Sequence, residues 1–289
     1  MTSAPTLALP ADAWDSHAHV FGPFDRYPLL TERRYDPPLA SAEDYISALD
    51  DVGFARGVLV HPSACGYDNT CTRDALRKAK GRIVGVGVVQ PGISDRELEQ
   101  MHAEGFRAVR VTVTGARSQQ YSGSLDYEGL RELAPRLRAL GWHVEVWSNC
   151  ERIVAAAAQL ASYGMPVVFD HMGYFNPDAG IDAAVFQSFL GLLKSHDFWV
   201  KLIPIRLSRT AGPEYAGIRP FHDCLLEAVP GRALYGTDWP HLSMEPSPTR
   251  VARLINLFDS WTKDHGLRQR IFVDNPRRLY GRDDPTGSG

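Results

Sequence analysis

Three imidazoles and one carboxylate fall where β-strands are predicted to end. They are His17 and His19 in Asp15-Ser16-His17-Ala18-His19, His171 in Phe169-Asp170-His171-Met172-Gly173, and Asp238 in Gly236-Thr237-Asp238-Trp239-Pro240-His241. Alternate residues of a strand point to the same side, so His17 and His19 share one face. A neutral imidazole offers a lone pair to a metal or a proton to an oxygen, and a carboxylate ligates a cation or takes a proton from water. The set therefore reads as a hydrolytic centre. It is either a metal cage or a pocket that polarises a carbonyl beside a general base.

Four groups from distant parts of the chain need a scaffold that gathers strand ends. Short β-branched runs alternate with longer helical patterns, as in successive βα units. The predicted strands are Ala13–His19, Gly57–His61, Val84–Val89, Ala108–Val113, His143–Trp147, Val167–His171, Trp199–Ile203 and Ala233–Thr237. That number closes a parallel barrel. Helices are predicted over Ser41–Val52, Ser94–Glu104, Asp126–Leu140, Glu151–Tyr163 and Asp182–Ser195. Ser41 and Ser94 act as N-caps, and Ser94 with Glu97 forms a capping-box pattern. The expectation is a single (β/α)8 TIM-barrel domain over residues 1–289, with 1–12 an N-terminal extension and 283–289 a disordered tail. The stretch Gly22–Leu39, rich in Pro, Arg and Tyr, is too long for an ordinary connection and reads as an active-site loop or lid after the first strand.

With 44% hydrophobic and 22% charged residues, the chain has the composition of a soluble globular protein with a large core. A net charge of -3 gives no reason to expect nucleic acid or an anionic membrane as partner. No apolar run approaches the roughly 20 residues needed to span a bilayer, and residues 1–12 lack the features of a secretory signal. Cys65, Cys71, Cys150 and Cys224 have neither zinc-knuckle nor redox spacing, so free thiols in a reducing cytoplasm are expected. Self-association into a homo-oligomer stays open.

The segments Asp15-Ser16-His17-Ala18-His19-Val20-Phe21-Gly22-Pro23, Val168-Phe169-Asp170-His171-Met172-Gly173 and Gly236-Thr237-Asp238-Trp239-Pro240-His241 resemble the amidohydrolase superfamily (amidohydrolase-related family 2). More narrowly they resemble its lactonase branch, typified by 2-pyrone-4,6-dicarboxylate lactonase. The resemblance extends to Asp274-Asn275-Pro276-Arg277-Arg278-Leu279-Tyr280. Many members hold divalent ions through the H-x-H pair, a fourth-strand lysine or glutamate, histidines of the fifth and sixth strands and the eighth-strand aspartate. This chain departs at two of those positions. The fourth strand carries Arg110, which cannot donate a lone pair. The fifth carries Trp147 where the histidine is expected, with His143 a full strand length away and Glu145 the nearest substitute ligand. No cofactor is therefore expected. The alternative is one Zn or Mn ion on His17, His19, His171 and Asp238.

The resemblance implies a hydrolase that opens a carboxylated lactone, 2-pyrone-4,6-dicarboxylate-like or muconolactone-like, as in aromatic compound catabolism. Asp238 serves as general base and His17, His19 and His171 polarise the carbonyl. Arg110 alternates with Ala108 and Thr112 on a barrel strand, and a buried cation wants an anionic partner. The resemblance makes that partner a substrate carboxylate, with Arg117 and either Arg206 or Arg209 as further anchors. Tyr35 and Ser63 fall at family substrate positions, and Trp147 is a stacking wall or core packing. His61 lines the pocket or is inert, His241 orients Asp238 or faces solvent, and Lys201 is structural or pocket-lining. Three rival readings remain: a metal-dependent sulfomuconolactone-type hydrolase or decarboxylase, a sugar-diacid lactone isomerase, and a non-catalytic carboxylate-binding barrel.

Overall fold

In the computed structural model, residues 4–113, 123–207, 213–242, 244–245, 247 and 249–281 are described. Eight parallel strands form one sheet in sequence order: β1 (Trp14–Ala18), β2 (Arg56–Val60), β3 (Ile83–Gly87), β4 (Phe106–Val113), β5 (His143–Ser148), β6 (Val167–Phe169), β7 (Phe198–Lys201) and β8 (Ala233–Leu234). The sheet closes on itself. Ser16 N donates to Tyr235 O at 2.9 Å, Asp238 N to His17 O at 2.8 Å and His19 N to Trp239 O at 2.8 Å. With helices between the strands this is the (β/α)8 barrel.

The helices are α1 (Ala42–Val52), α2 (Thr70–Ala79), α3 (Asp95–Ala103), α4 (Tyr127–Ala139), α5 (Cys150–Ser162), α6 (Ala184–Ser195), α7 (Arg219–Ala228), α8 (Arg250–Trp261), α9 (His265–Gln269) and α10 (Asn275–Tyr280). Ser41 and Ser94 cap α1 and α3 with full capping boxes, and Asp126 and Asn149 cap α4 and α5. Among the described residues no helix is long and apolar enough to cross a membrane. The four cysteines are free.

Strand parity sorts side chains into two cores. Leu59, Val109, Val111, Val144, Val146, Phe169 and Val200 face outward onto the helices, whereas Trp14, Val58, Val60, Val86, Ala108, Val168, Trp199 and Leu234 fill the lumen with Leu279 and Tyr280. Helix α10 thus stops the end of the barrel at which the strands begin, with Tyr280 stacked on Trp14 at 6.0 Å. Strand β1 breaks the rule once. Its register against β2 slips between Asp15 and Ala18, where three residues advance against two. This bulge lets Trp14 face the lumen at the bottom and His17 and His19 face it at the top.

The long connection after β1 is strapped down. Phe21 and Ala40 pair across its neck, Leu30 N donates to Ala64 O at 2.8 Å, and Tyr27 OH donates to Asp74 at 2.6 Å.

Candidate active site

The polar groups of the lumen lie in layers. At the bottom, His143 begins β5 and packs edge-on to Tyr280 at 5.0 Å. Above it Glu145 and Lys201 are fully buried and joined at 2.5 Å. Tyr280 OH donates to the other Glu145 oxygen at 2.8 Å. Higher still, Asp170 accepts from Arg110 Nη2 at 3.0 Å and lies 3.3 Å from His17 Nδ1. At the mouth, Asp238 Oδ1 lies 3.7 Å from His17 Nε2 and 3.6 Å from His19 Nε2, while Oδ2 accepts from Arg206 Nε at 2.6 Å.

Local backbone aims these groups. Beyond β6, parity carries Asp170 into the lumen, and His171 joins it because its φ of 48° turns the chain left-handed. Asp238 likewise has φ 59°. Such a conformation costs a non-glycine residue roughly 1–2 kcal/mol and is tolerated where surroundings fix it. Gly236 is needed for close approach: a Cβ there would lie 2.7 Å from the His17 Cβ. His17 packs edge-on against His19 at 4.9 Å and His171 at 5.0 Å. The three imidazoles and Asp238 therefore form one buried cluster.

A family model described as amidohydrolase matches residues 14–282. The chain belongs to the amidohydrolase family. A 2-pyrone-4,6-dicarboxylate hydrolase of Comamonas testosteroni is 35% identical, with 96% of this chain and 93% of the relative covered. A 4-sulfomuconolactone hydrolase of Rhizobium radiobacter is 34% identical over the same shares, 96% and 93%. Among solved structures, an Acinetobacter baumannii protein provisionally named a 2-pyrone-4,6-dicarboxylic acid hydrolase, with citric acid bound, superposes with a TM-score of 0.81. It is 27% identical and covers 93% of this chain and 99% of its own.

The electrostatics of this amidohydrolase follow from burial opposed by neighbouring charge. Burial pushes Asp238 up, but Arg206, His19, His171 and His17 overcome it and hold the carboxyl well below the usual range. Burial likewise acts on Asp170, and Lys201, His17 and Arg110 hold it well below. For the imidazoles burial favours the neutral form: His17 is lowered to about 4, with Lys201 adding to the effect, and His171 is lowered well below its ordinary value.

The anionic partner that Arg110 requires comes from the protein. Asp170 takes Nη2, the His61 carbonyl lies 3.4 Å from Nη1, and the Trp147 ring lies 5.2 Å away. Arg206 is likewise bonded to Asp238, and its Nη1 donates to Leu242 O at 3.0 Å. Tyr35 OH sits 3.5 Å from Ser63 Oγ on the half-buried rim. Trp147 meets His171 edge-on at 6.5 Å. His241 follows Asp238 in a turn, its amide donating to the Asp238 carbonyl at 2.9 Å, and its buried Nε2 lacks a hydrogen bond. Arg117 and Arg209 lie outside the described residues.

Two expectations change. His61 does not line the pocket: with Val58 and Val60 inward, parity turns it outward. Its ring bonds Gly66 O at 2.9 Å and Thr72 Oγ1 at 3.3 Å. Glu145 is not a spare ligand, because Lys201 and Tyr280 hold it. Sequence reasoning passed over Asp170, although its place two residues after inward-facing Val168 was the available signal.

Proposed function

We propose that the protein is a hydrolase that opens a small lactone bearing one or more carboxylates, without a metal. The observation that carries the reading is a buried carboxylate facing three clustered imidazoles, of which burial favours the neutral form of His17 and His171. Asp238 Oδ1 has no hydrogen-bond donor of its own, and the relatives named above act on lactones. His19 donates from Nδ1 to Val60 O at 2.7 Å, which turns its Nε2 toward Asp238 Oδ1 at 3.6 Å. The space between Asp238 Oδ1 and His19 Nε2 seats the attacking water. Asp238 takes its proton as the oxygen bonds to the lactone carbonyl carbon, and His17 and His171 stabilise the charge on the carbonyl oxygen. The ring C–O bond then breaks, and the departing oxygen receives the proton from Asp238. The product is an open-chain hydroxy- or oxo-acid, as in the catabolism of aromatic acids.

The substrate's acid groups lie toward the rim, where the outer edge of Arg206, Tyr35 and Ser63 receive them, with Trp147 and His241 as walls; Arg117 stays a further anchor by resemblance alone. Arg110 acts there chiefly through Asp170 and Trp147. The free thiols fit a reducing cytoplasm.

A divalent ion is the alternative. His17, His19 and Asp238 offer donor atoms within 4.8 Å of one another and would hold it, with His171 nearby. Bound there, it would polarise the lactone carbonyl as a Lewis acid. Charge favours the metal-free reading. Among the described residues of the cluster, Lys201, Arg110 and Arg206 already balance Glu145, Asp170 and Asp238. A dication would add uncompensated charge to a buried site.

The test is a panel of carboxylated lactones assayed with and without chelator, with products read by NMR. Ring opening that survives chelation is expected. Loss of activity on chelation with stoichiometric zinc or manganese would sink the metal-free reading. Ring migration instead of opening would mark an isomerase, and inertness to the panel despite tight carboxylate binding would mark a binding protein.

A further inference from the structure

The floor of the site holds a charged group that lactone opening does not itself require. Lys201 ends β7 fully buried, pointing up the lumen from the same face as Trp199. Its ammonium has three N–H bonds, and three acceptors surround it: Glu145 Oε2 at 2.5 Å, His17 Nδ1 at 3.1 Å and Asp170 Oδ1 at 3.4 Å. Glu145 cannot swing away, because Tyr280 holds its second oxygen.

This arrangement constrains where His17 carries its proton. A neutral imidazole has one N–H, and the neighbour of one nitrogen decides which end bears it. A proton on Nδ1 would face an ammonium 3.1 Å away, donor against donor. Such a proton would have to turn instead to Asp170 Oδ1 at 3.3 Å, where the direction falls short of a hydrogen bond. At the opposite end of the ring, His17 Nε2 is buried in the reaction pocket without a hydrogen bond, 3.7 Å from Asp238 Oδ1.

We propose that Lys201 is a positioning residue that holds His17 as its Nε2–H tautomer, aiming an N–H at the oxygen on which charge develops. The inference rests on lactone hydrolysis for its catalytic meaning and on the lumen geometry for its structural content. It divides the imidazoles by role. His19, with Nδ1 committed to Val60, faces the water beside Asp238, and His17, with Nδ1 committed to Lys201, donates to the substrate. It also makes His17 Nε2 a donor rather than a lone pair.

The experiment is long-range proton–nitrogen NMR of the full-length protein labelled with 15N-histidine, with His17 assigned by its loss in His17→Gln. The expected spectrum shows a proton on His17 Nε2 and none on Nδ1. A proton on Nδ1 overturns the proposal. In Lys201→Met, the His17 proton should redistribute toward Nδ1 and Asp170. There kcat should fall about 10²–10³-fold, the usual loss for one oxyanion donor, while KM stays within about threefold. Unchanged tautomer or unchanged kcat in a folded Lys201→Met also overturns it. Because that change strands a buried Glu145, the pair Glu145→Gln with Lys201→Met carries the same comparison if the single variant does not fold. A wild-type protein that shows Nε2–H but opens no lactone would overturn the reaction and leave the Lys201–His17 assignment standing.

Discussion

Replacing Asp238 by Asn keeps the shape of the side chain and removes its ability to take a proton. In the native site Oδ2 accepts from Arg206 Nε at 2.6 Å, and Oδ1 faces His17 Nε2 and His19 Nε2 at 3.7 and 3.6 Å. Asparagine has one acceptor oxygen. Arg206 claims it, so the amide NH2 turns to the imidazoles and a donor stands where water needs an acceptor. General-base catalysis is worth about 10²–10⁴ in rate. With the water's seat also inverted, the upper part of that range applies, about 10³–10⁴, or about 4–5.5 kcal/mol of barrier. The lost interaction belongs to the transition state, so kcat and kcat/KM should fall together, with KM within about threefold. Stability should change little, because Arg206 is 25% exposed and can hydrate once its partner is neutral. The assay is ring opening followed by NMR of the open-chain acid, beside a thermal melt. A wild-type rate, or a loss confined to KM, would refute the assignment of Asp238 as base.

Arg206→Gln should leave burial of Asp238 less opposed, raising its carboxyl and moving the acid limb of kcat/KM to higher pH. An unmoved limb would mean that another group sets it. Tyr280→Phe deletes the 2.8 Å bond to buried Glu145. It should cost about 1.5–3 kcal/mol in urea unfolding, the usual value for a bond to a charged group, and a cost of a few tenths would refute the link. Burial lowers His17, His61, His222 and His241 each to about 4, so between the unfolded value near 6.5 and that point the unfolded chain binds more protons. Stability should therefore fall as pH drops through that window. Asp15, raised by burial to about 6, and Asp259, also raised by burial, work in the opposite sense but are outnumbered. Urea midpoints that stay flat from pH 7 to about 4.5 would contradict this.

Side-chain caps account for much of what the sequence revealed, with two exceptions: α6 was read without a cap bond, and α9, capped by Asp264, was not marked. Helices α1, α3, α4 and α5 were legible, and each begins with a side-chain cap that is bonded in the structure. Helices α2, α7 and α8 went unmarked, and none has a side-chain cap bond. Strand identities were clear, but β6 stops at Phe169 and β8 at Leu234. His171 and Asp238 therefore reach the pocket through left-handed turns that periodicity does not encode. For the site, residue type and strand-end position marked His17, His19, His171 and Asp238 as candidates, and the structure gathers them into one buried cluster. Partners were harder. Arg110 was rightly read as needing an anion, yet nothing local pointed to Asp170, 60 residues away. His61 shows the cost of ignoring parity, since the neighbouring Val60 already faced the lumen.

Tyr280 ties the chemistry to the order in which the chain is made. Its hydroxyl is the last protein atom to reach Glu145, and through Glu145 and Lys201 it braces His17, nearly the whole chain earlier. Synthesis runs from the N-terminus, so every strand can emerge before helix α10 does. Until that helix docks, Glu145 lacks the Tyr280 hydrogen bond and the lumen lacks Leu279 and Tyr280 at its base, so the expectation is that water reaches the Lys201–Glu145 pair and loosens its hold on His17. A nascent or end-trimmed barrel is thus one with its catalytic side chains present but unaligned. Enzymatic competence would then appear late and abruptly, as a report that helix α10 has found its place.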